Sequence, residues 1–342
     1  MIDTTRPEIA FAMDIVGKAS QLAARIQTGM AMKGLTKSDF SPVTVADFAV
    51  QAIVAHALEG AFPGTVLVGE ERAKDLRENE EMLAVVTEFV GKIIAGATDD
   101  DVCGWIDQGA GEPGDRFWTV DPIDGTKGYL RGGQYAVALA LIENGKVVQG
   151  TLGCPNLGDD CKPDMGMGAI LIAQRGEGAF YSVVGEPLQP LKVSDCADIK
   201  DARVMRSVES GHTNAGHIGE IIQRLGIAAE PVLMDSQAKY AVLAAGGGEL
   251  LFRLLSSSQP DYKEKVWDQA AGSIVLEEAG GRITDLGGKA LDFAQGRTLA
   301  ANTGVFASNG PLHDAGLEAI AAVCPVTGGS PHRFAGTPGR FW

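Results

Sequence analysis

The run Trp118-Thr119-Val120-Asp121-Pro122-Ile123-Asp124-Gly125-Thr126-Lys127-Gly128 sets two carboxylates and a hydroxyl beside a strand-forming segment. Phe117-Trp118-Thr119-Val120 is apolar and β-prone and stops at a carboxylate. Pro122 has no N–H to give to a ladder, so the strand is expected to end there. Gly125 permits a tight turn, and Thr126 presents a hydroxyl next to it. Two acids crowded at one strand end repel and desolvate each other unless something positive lies between them. Oxygen-only ligands at this density suit Mg²⁺ or Mn²⁺ rather than zinc. A solvated turn would explain an isolated Asp-Gly; the whole string after an apolar strand is far more specific.

Three further acids stand in comparable settings. Thr65-Val-Leu-Val68-Gly69-Glu70-Glu71 reads as a short strand ending in two carboxylates, which alternate in direction, so one can face a site while the other does not. Arg72 and Lys74 leave a charged loop as the alternative. In Ser41-Pro42-Val43-Thr44-Val45-Ala46-Asp47, Thr44 suits a helix N-cap, and Asp47 at N3 could complete a capping box. Asp268, after Trp267 and before an Ala-rich helix, stands where an N-cap belongs.

The Asp121–Thr126 string resembles the signature of the inositol monophosphatase superfamily, lithium-sensitive and magnesium-dependent phosphomonoesterases. Its continuation through Arg131-Gly-Gly-Gln-Tyr-Ala-Val137 is similar to one branch, the 3'(2'),5'-bisphosphate nucleotidases. Val-Thr-x-Ala-Asp47, Gly69-Glu70-Glu71 and Trp267-Asp268 through Gly280-Gly281 fit the same pattern, and the resemblance runs from about Ile9 to Ala322. It implies an α/β chain with an α+β N-terminal half, folded as a layered αβαβα sandwich of the inositol monophosphatase and fructose-1,6-bisphosphatase type. It implies two or three Mg²⁺ (or Mn²⁺) held by Glu70, Asp121, Asp124, Asp268 and the Ile123 carbonyl, with Asp47 and Thr126 orienting and deprotonating the water. The N–H groups of Gly125 and Thr126, if they open a helix, would receive the phosphate.

The same resemblance places His212, Ser236, Lys239, Arg253 and Lys265 around the substrate, with Asp268 also at its edge. The implied reaction is removal of the 3'-phosphate of adenosine 3',5'-bisphosphate to give AMP, with 3'-phosphoadenylyl sulfate a second candidate substrate and a place in sulfur assimilation. A phosphate remote from the metals needs its own cations. Arg253 lies in the apolar run Leu250-Leu-Phe-Arg253-Leu-Leu255, where an unpaired charge is costly. Lys239 could instead be a solvated helix lysine, and His212 a turn residue beside Gly211. The alternatives are an inositol phosphate or sugar phosphate phosphatase with the same metal site and, in a different class, a non-catalytic nucleotide sensor.

The elements that must carry these residues follow from periodicity. Ile9, Met13, Val16, Leu22 and Ile26 mark a helix over 9–32; Phe48, Ala52, Ala55 and Leu58 mark a second. A third is expected over 78–96, followed by a Gly- and Asp-rich loop at 98–114. Glu143-Asn144-Gly145-Lys146 between apolar runs predicts one hairpin, and Arg175-Gly-Glu-Gly178 another. Beyond 203, strands and helices alternate up to the strand 282–284. The domain reading is one unit over 6–325, with halves 6–155 and 168–325 and a loose tail at 326–342.

Bulk composition bounds the rest. Net charge is −15, which does not favour nucleic-acid polymers. An acidic chain binding a small polyanion therefore needs metal ions and a local basic pocket. No run reads as the roughly 18 apolar residues of a membrane span, and no signal peptide is seen. The five cysteines form no C-x-x-C pair, so reduced thiols in a cytoplasmic monomer or weak homodimer are expected.

Overall fold

The structure, a computed structural model, describes residues 2–32, 41–183, 186–208, 214–256 and 258–324. Helix α1 (Pro7–Met32) buries Ile9, Val16, Leu22 and Ile26, as their spacing predicts. Helix α2 (Pro42–Ala61) starts at Pro42, whose missing N–H costs nothing in a first turn. Its cap is Ser41, whose Oγ accepts from the Thr44 N–H at 3.4 Å. This corrects the expected Thr44 cap: Asp47 lies in the second turn, where it can complete no capping box. By length and composition Val43–Ala61 could cross a membrane, which corrects the absence of such a run; 72% of it is buried inside the protein, as befits a core helix.

Strand β1 (Val66–Gly69), the short α3 (Lys74–Arg77) and α4 (Glu80–Gly91) follow. The loop expected at 98–114 contains α5 (Asp99–Gln108). Thr98 Oγ1 accepts from the Asp101 N–H at 3.2 Å, and Asp101 Oδ2 accepts from the Thr98 N–H at 3.0 Å. The Asp99-Asp100-Asp101 run is thus a first helical turn, where carboxylates favour the positive end of the dipole, rather than a solvated turn.

Strand β2 (Arg116–Asp124) runs through Pro122. Regular pairing with β3 (Ala136–Glu143) holds to Asp121↔Ala138 and resumes at Asp124↔Ala136, so Pro122 and Ile123 form a bulge opposite a single residue. The proline bends the strand instead of ending it, because a bulged residue owes the ladder no N–H. Helix α6 (Thr126–Leu130) follows directly. Then come β4 (Lys146–Cys154), β5 (Ala169–Gln174), β6 (Gly178–Ser182) and β7 (Gln189–Pro190). Both predicted hairpins are present, with Asn144 and Gly145 at positive φ in the first. Strands β1 to β7 lie in sequence order in one sheet, with only β1 and β2 parallel. The 155–168 connection joins two neighbours in that sheet, β4 and β5.

The second sheet is built from β8 (Val204–Arg206), β9 (Val232–Leu233), β10 (Leu250–Arg253), β11 (Arg282–Thr284) and β12 (Val305–Ser308), in the order β11-β12-β10-β8-β9. Its helices are α7 (Ala215–Leu225), α8 (Ala238–Ala244), α9 (Ala270–Glu278) and α10 (His313–Val323). β12 and α10 lie beyond the predicted alternation. Helices α1 and α2 cover one face of the first sheet; α8 and α9 fill the space between the sheets; α7 and α10 cover the far face of the second. The layers are therefore α, β, α, β, α.

Close approach of α9 to the first sheet depends on Gly150 of β4. A Cβ there would sit 2.5 Å from Ile274 Cγ2 and 2.8 Å from the Ala271 carbonyl oxygen. Gly150→Ala is expected to cost about 1–3 kcal/mol by overpacking, seen as a lower urea midpoint. Gly219→Ala in α7, where nothing lies within 4 Å of the new methyl, should instead be neutral or stabilising by about 0.5–1 kcal/mol.

Candidate active site

Parallel pairing of β1 with β2 sets Gly69 opposite Val120, so the chain leaves β1 at Glu70 beside Asp121. The Thr119 hydroxyl donates to the Val68 carbonyl at 2.8 Å and locks that register. A cavity of about 530 Å³ lies where β1, β2 and β10 end. Glu70, Asp121, Asp124, Asp268, Ile123, Gly125, Thr126, Ser236, Lys239 and Arg253 all line it. Asp47 lies behind it, buried, close enough for Glu71 and Glu70 to act on its charge. Lys265 does not line the cavity, although its charge reaches Glu70. The backbone of residue 265 pairs with Thr298 as an isolated bridge. His212 lies outside the described residues.

The local devices differ from those expected. The N-cap of α9 is Gln269, so Asp268 does not cap; its Oδ2 accepts from the Tyr262 hydroxyl at 3.4 Å. Gly125 does open α6, at φ 88°. A Cβ at Gly125 would fall 2.7 Å from the Ser236 Cβ, so glycine is needed both for the left-handed turn and for the approach of the second half. Ser236 has φ 69°, and its Oγ accepts from the Ala238 N–H at 3.1 Å at the start of α8. Next to it, the Gln237 N–H donates to Asp124 Oδ2 at 2.5 Å. The Gln237 side chain donates to the Trp267 carbonyl at 2.9 Å and accepts from the Gly272 N–H at 3.0 Å, fixing the Asp268 turn. Asp235 forms an ion pair with Arg131 at the end of α6.

The acids are electrostatically uncompensated. Burial raises Asp121 well above the usual carboxylate range, and Glu70, Asp124 and Asp268 add to this. Burial lifts Asp268 to about 8 against the pull of Arg253. Burial raises Asp124 too, with Lys239 and Arg253 offsetting part. Glu70 is open to the water of the cavity, yet the protein around it and Asp124 raise its pKa. Asp47 is raised by burial, Glu71 and Glu70, and Glu71 by burial and Glu70 to about 7. Asp121 Oδ1 is buried and has no hydrogen-bond partner. An orphaned anionic oxygen among crowded acids is the environment a hard divalent cation satisfies. Among the described residues no three acids form a closed ligand set around one point.

Two cations share the cavity. Lys239 is buried rather than solvated, and burial brings its amine down to about 8 against the pull of Asp124. Arg253 is not a free guanidinium: its Nη2 pairs with Glu264 Oε2 at 2.7 Å and lies 3.9 Å from Asp268 Oδ2. Glu264 also accepts from the Gln269 amide at 2.7 Å. Sequence reasoning missed Glu264, because an acid between lysines in Lys263-Glu264-Lys265 looks solvated. It missed Gln51 as well: this buried α2 side chain donates to the Glu71 carbonyl (2.9 Å) and accepts from its N–H (2.9 Å). A polar residue on the apolar face of a helix was the available signal.

Comparison with known proteins places this geometry. The inositol monophosphatase family model matches residues 5–322. A 3'(2'),5'-bisphosphate nucleotidase of Schizosaccharomyces pombe is 44% identical over 95% of this chain and 97% of its own length. The enzyme of that name from Emericella nidulans is 38% identical over 90% of this chain and 96% of its own length. Among solved structures, the Thermotoga maritima IMPase superposes with a TM-score of 0.62 at 22% identity, over 93% of this chain and 98% of that one. The inositol monophosphatase from Anabaena gives 0.59 at 21% identity, over 92% and 96%. The layers, the acid-lined cavity and the match over nearly the whole chain make this protein a member of the inositol monophosphatase family.

Proposed function

We propose that this chain is a phosphomonoesterase that removes the 3'-phosphate of adenosine 3',5'-bisphosphate, giving AMP and inorganic phosphate. The observation that carries the reading is the presence in one cavity of Glu70, Asp121, Asp124 and Asp268 with the buried Lys239 and the Arg253–Glu264 pair. The names and 38–44% identities of the relatives support the nucleoside bisphosphate as substrate. The five cysteines are all free thiols, which supports a cytoplasmic location.

In this proposal Glu70, Asp121, Asp124, Asp268 and the Ile123 carbonyl hold Mg²⁺, with Mn²⁺ as a substitute. When bound, such ions supply positive charge to the phosphate oxygens and acidity to water. The rest falls to the chain. The Gly125 and Thr126 N–H groups at the start of α6 receive phosphate oxygens. Thr126 is exposed in the cavity and orients the attacking water. Asp47, with its proton affinity raised by burial and by Glu71 and Glu70, accepts the proton. The water oxygen bonds to phosphorus as the bond to the 3'-oxygen breaks; the departing oxygen takes a proton from water in the open cavity to become the 3'-hydroxyl of AMP, and Asp47 gives its proton back to solvent. Lys239, Ser236 and Arg253 face the second phosphate and the nucleoside. Glu264 pairs with Arg253 and keeps it oriented.

Asp124→Ala is expected to lower phosphate release by a factor of at least roughly 10²–10³ while circular dichroism remains that of the parent; full activity would refute the site. With Mg²⁺, release from adenosine 3',5'-bisphosphate should far exceed release from inositol 1-phosphate. The reverse preference would keep the metal chemistry and reject the nucleotide. Turnover of neither, with intact nucleotide binding, would mark a sensor.

Charge crowding makes a separate prediction. Asp268 (about 8) and Glu71 (about 7) bind protons in the folded chain that their unfolded forms, at 3.8 and 4.5, release. Stability without cations therefore falls as pH rises through this range. His313, depressed by burial to about 4, works in the opposite sense only below its ordinary 6.5. Between pH 6.5 and 8, chelator-treated protein should lose thermal stability, and Mg²⁺ should restore it most at pH 8, by about 2.7 kcal/mol at a hundredfold excess over Kd. Calorimetry showing equal stability at both pH values, with and without Mg²⁺, would contradict this account.

A further inference from the structure

We propose that Arg297 is a positioning residue that sets the affinity of the site for its divalent cation by tying the Glu70 segment to the Asp268 segment. The inference rests on the metal-binding reading given under Proposed function. Arg297 does not line the cavity. Its guanidinium reaches three glycine carbonyls of the first half: Gly69 at 2.5 Å from Nη2, and Gly111 at 2.9 Å and Gly109 at 3.3 Å from Nη1. The Gly69 carbonyl belongs to the peptide bond that leads into Glu70. Arg72 also donates to it, at 3.1 Å, but Arg72 comes from the same segment and cannot anchor it to the second half.

The other end of the tie lies beside Asp268. The Arg297 carbonyl accepts from the Val266 N–H at 3.1 Å, and the Leu299 N–H donates to the Glu264 carbonyl at 2.9 Å. Residues 297–299 thus run alongside 264–266. The guanidinium carbon lies 5.0 Å from the centre of the Trp267 ring, immediately before Asp268. One side chain therefore contacts the residue preceding each of two acids that lie 198 positions apart in the sequence. Glycine at 69 is part of the device, since a Cβ there would fall 2.4 Å from Gln51 Oε1.

Only arginine can do this. Its planar fork offers five donors in fixed directions and a flat face for stacking, whereas lysine offers a point charge. Residues that orient ligands without touching the metal typically change affinity 10–100-fold when removed. Gln237 holds the Trp267 carbonyl and Asp124 in a similar way, so Arg297 completes a frame in which three acid-bearing segments are mutually fixed.

The test is Mn²⁺ binding by chelator-treated protein, followed by the electron paramagnetic resonance signal of free Mn²⁺. The parent chain must bind; if it does not, the metal reading itself fails. Arg297→Lys should weaken Mn²⁺ binding about tenfold and Arg297→Ala about 10–100-fold, with circular dichroism unchanged. Arg175→Lys, which perturbs the Arg175–Glu277 ion pair on the surface, controls for general destabilisation and should leave the affinity alone. Parent-like affinity in Arg297→Lys overturns the proposal, as does an equal loss in Arg175→Lys. Should Arg297→Ala fail to fold, the lysine variant decides.

Discussion

Six carboxylates within reach of one another, with too little positive charge to balance them, are the constraint on which this structure turns. Burial raises Asp47, Glu70, Glu71, Asp121, Asp124 and Asp268, and for all but Asp124 neighbouring acids add to it. A protein interior does not tolerate such a group unless another interaction holds it in place. Here the holding is done by backbone and amide contacts: β1–β2 pairing fixes Glu70 beside Asp121, the bulge at Pro122-Ile123 brings Asp124 round, and Gln237 binds Asp124 directly. The sheet edge and α8 and α9, the layer shared between the two sheets, thus hold these acids in place.

That middle layer joins the two sheets. Helices α8 and α9 pack against the first sheet although they belong to the second half of the chain. Asp268 precedes α9, Lys239 lies in α8, and Arg253 ends β10. The acids of the first half and the cations of the second meet only because Gly125 and Ser236 approach within the distance a glycine allows.

An overall charge of −15 and a polyanionic substrate are reconciled locally. The cavity brings Lys239 and Arg253 together among its acids, with Glu264 paired to the arginine. Bound cations would supply the remaining positive charge.

Most of this could be read from the chain. The Asp121–Thr126 string, Glu70 after an apolar strand and the Trp267-Asp268 pair, read through the family resemblance, singled out acids that line one cavity; periodicity placed most helices, and turn residues placed both hairpins. Local signals also misled where two roles share one residue type. Thr44 and Asp268 looked like caps, yet Ser41 and Gln269 occupy those positions, because where a helix begins depends on what its first turn packs against. The Asp99–Asp101 run looked like a loop and is a helix start. Sequence by itself determined the family and the substrate class, and it singled out acids that the fold gathers at one cavity. Only the tertiary structure decided that Lys239 is buried, that Arg253 is paired with Glu264, that Lys265 stands outside the cavity, and that Gln51, Gln237 and Arg297 hold the frame. These depend on contacts between segments far apart in the chain, and no spacing within a segment encodes them.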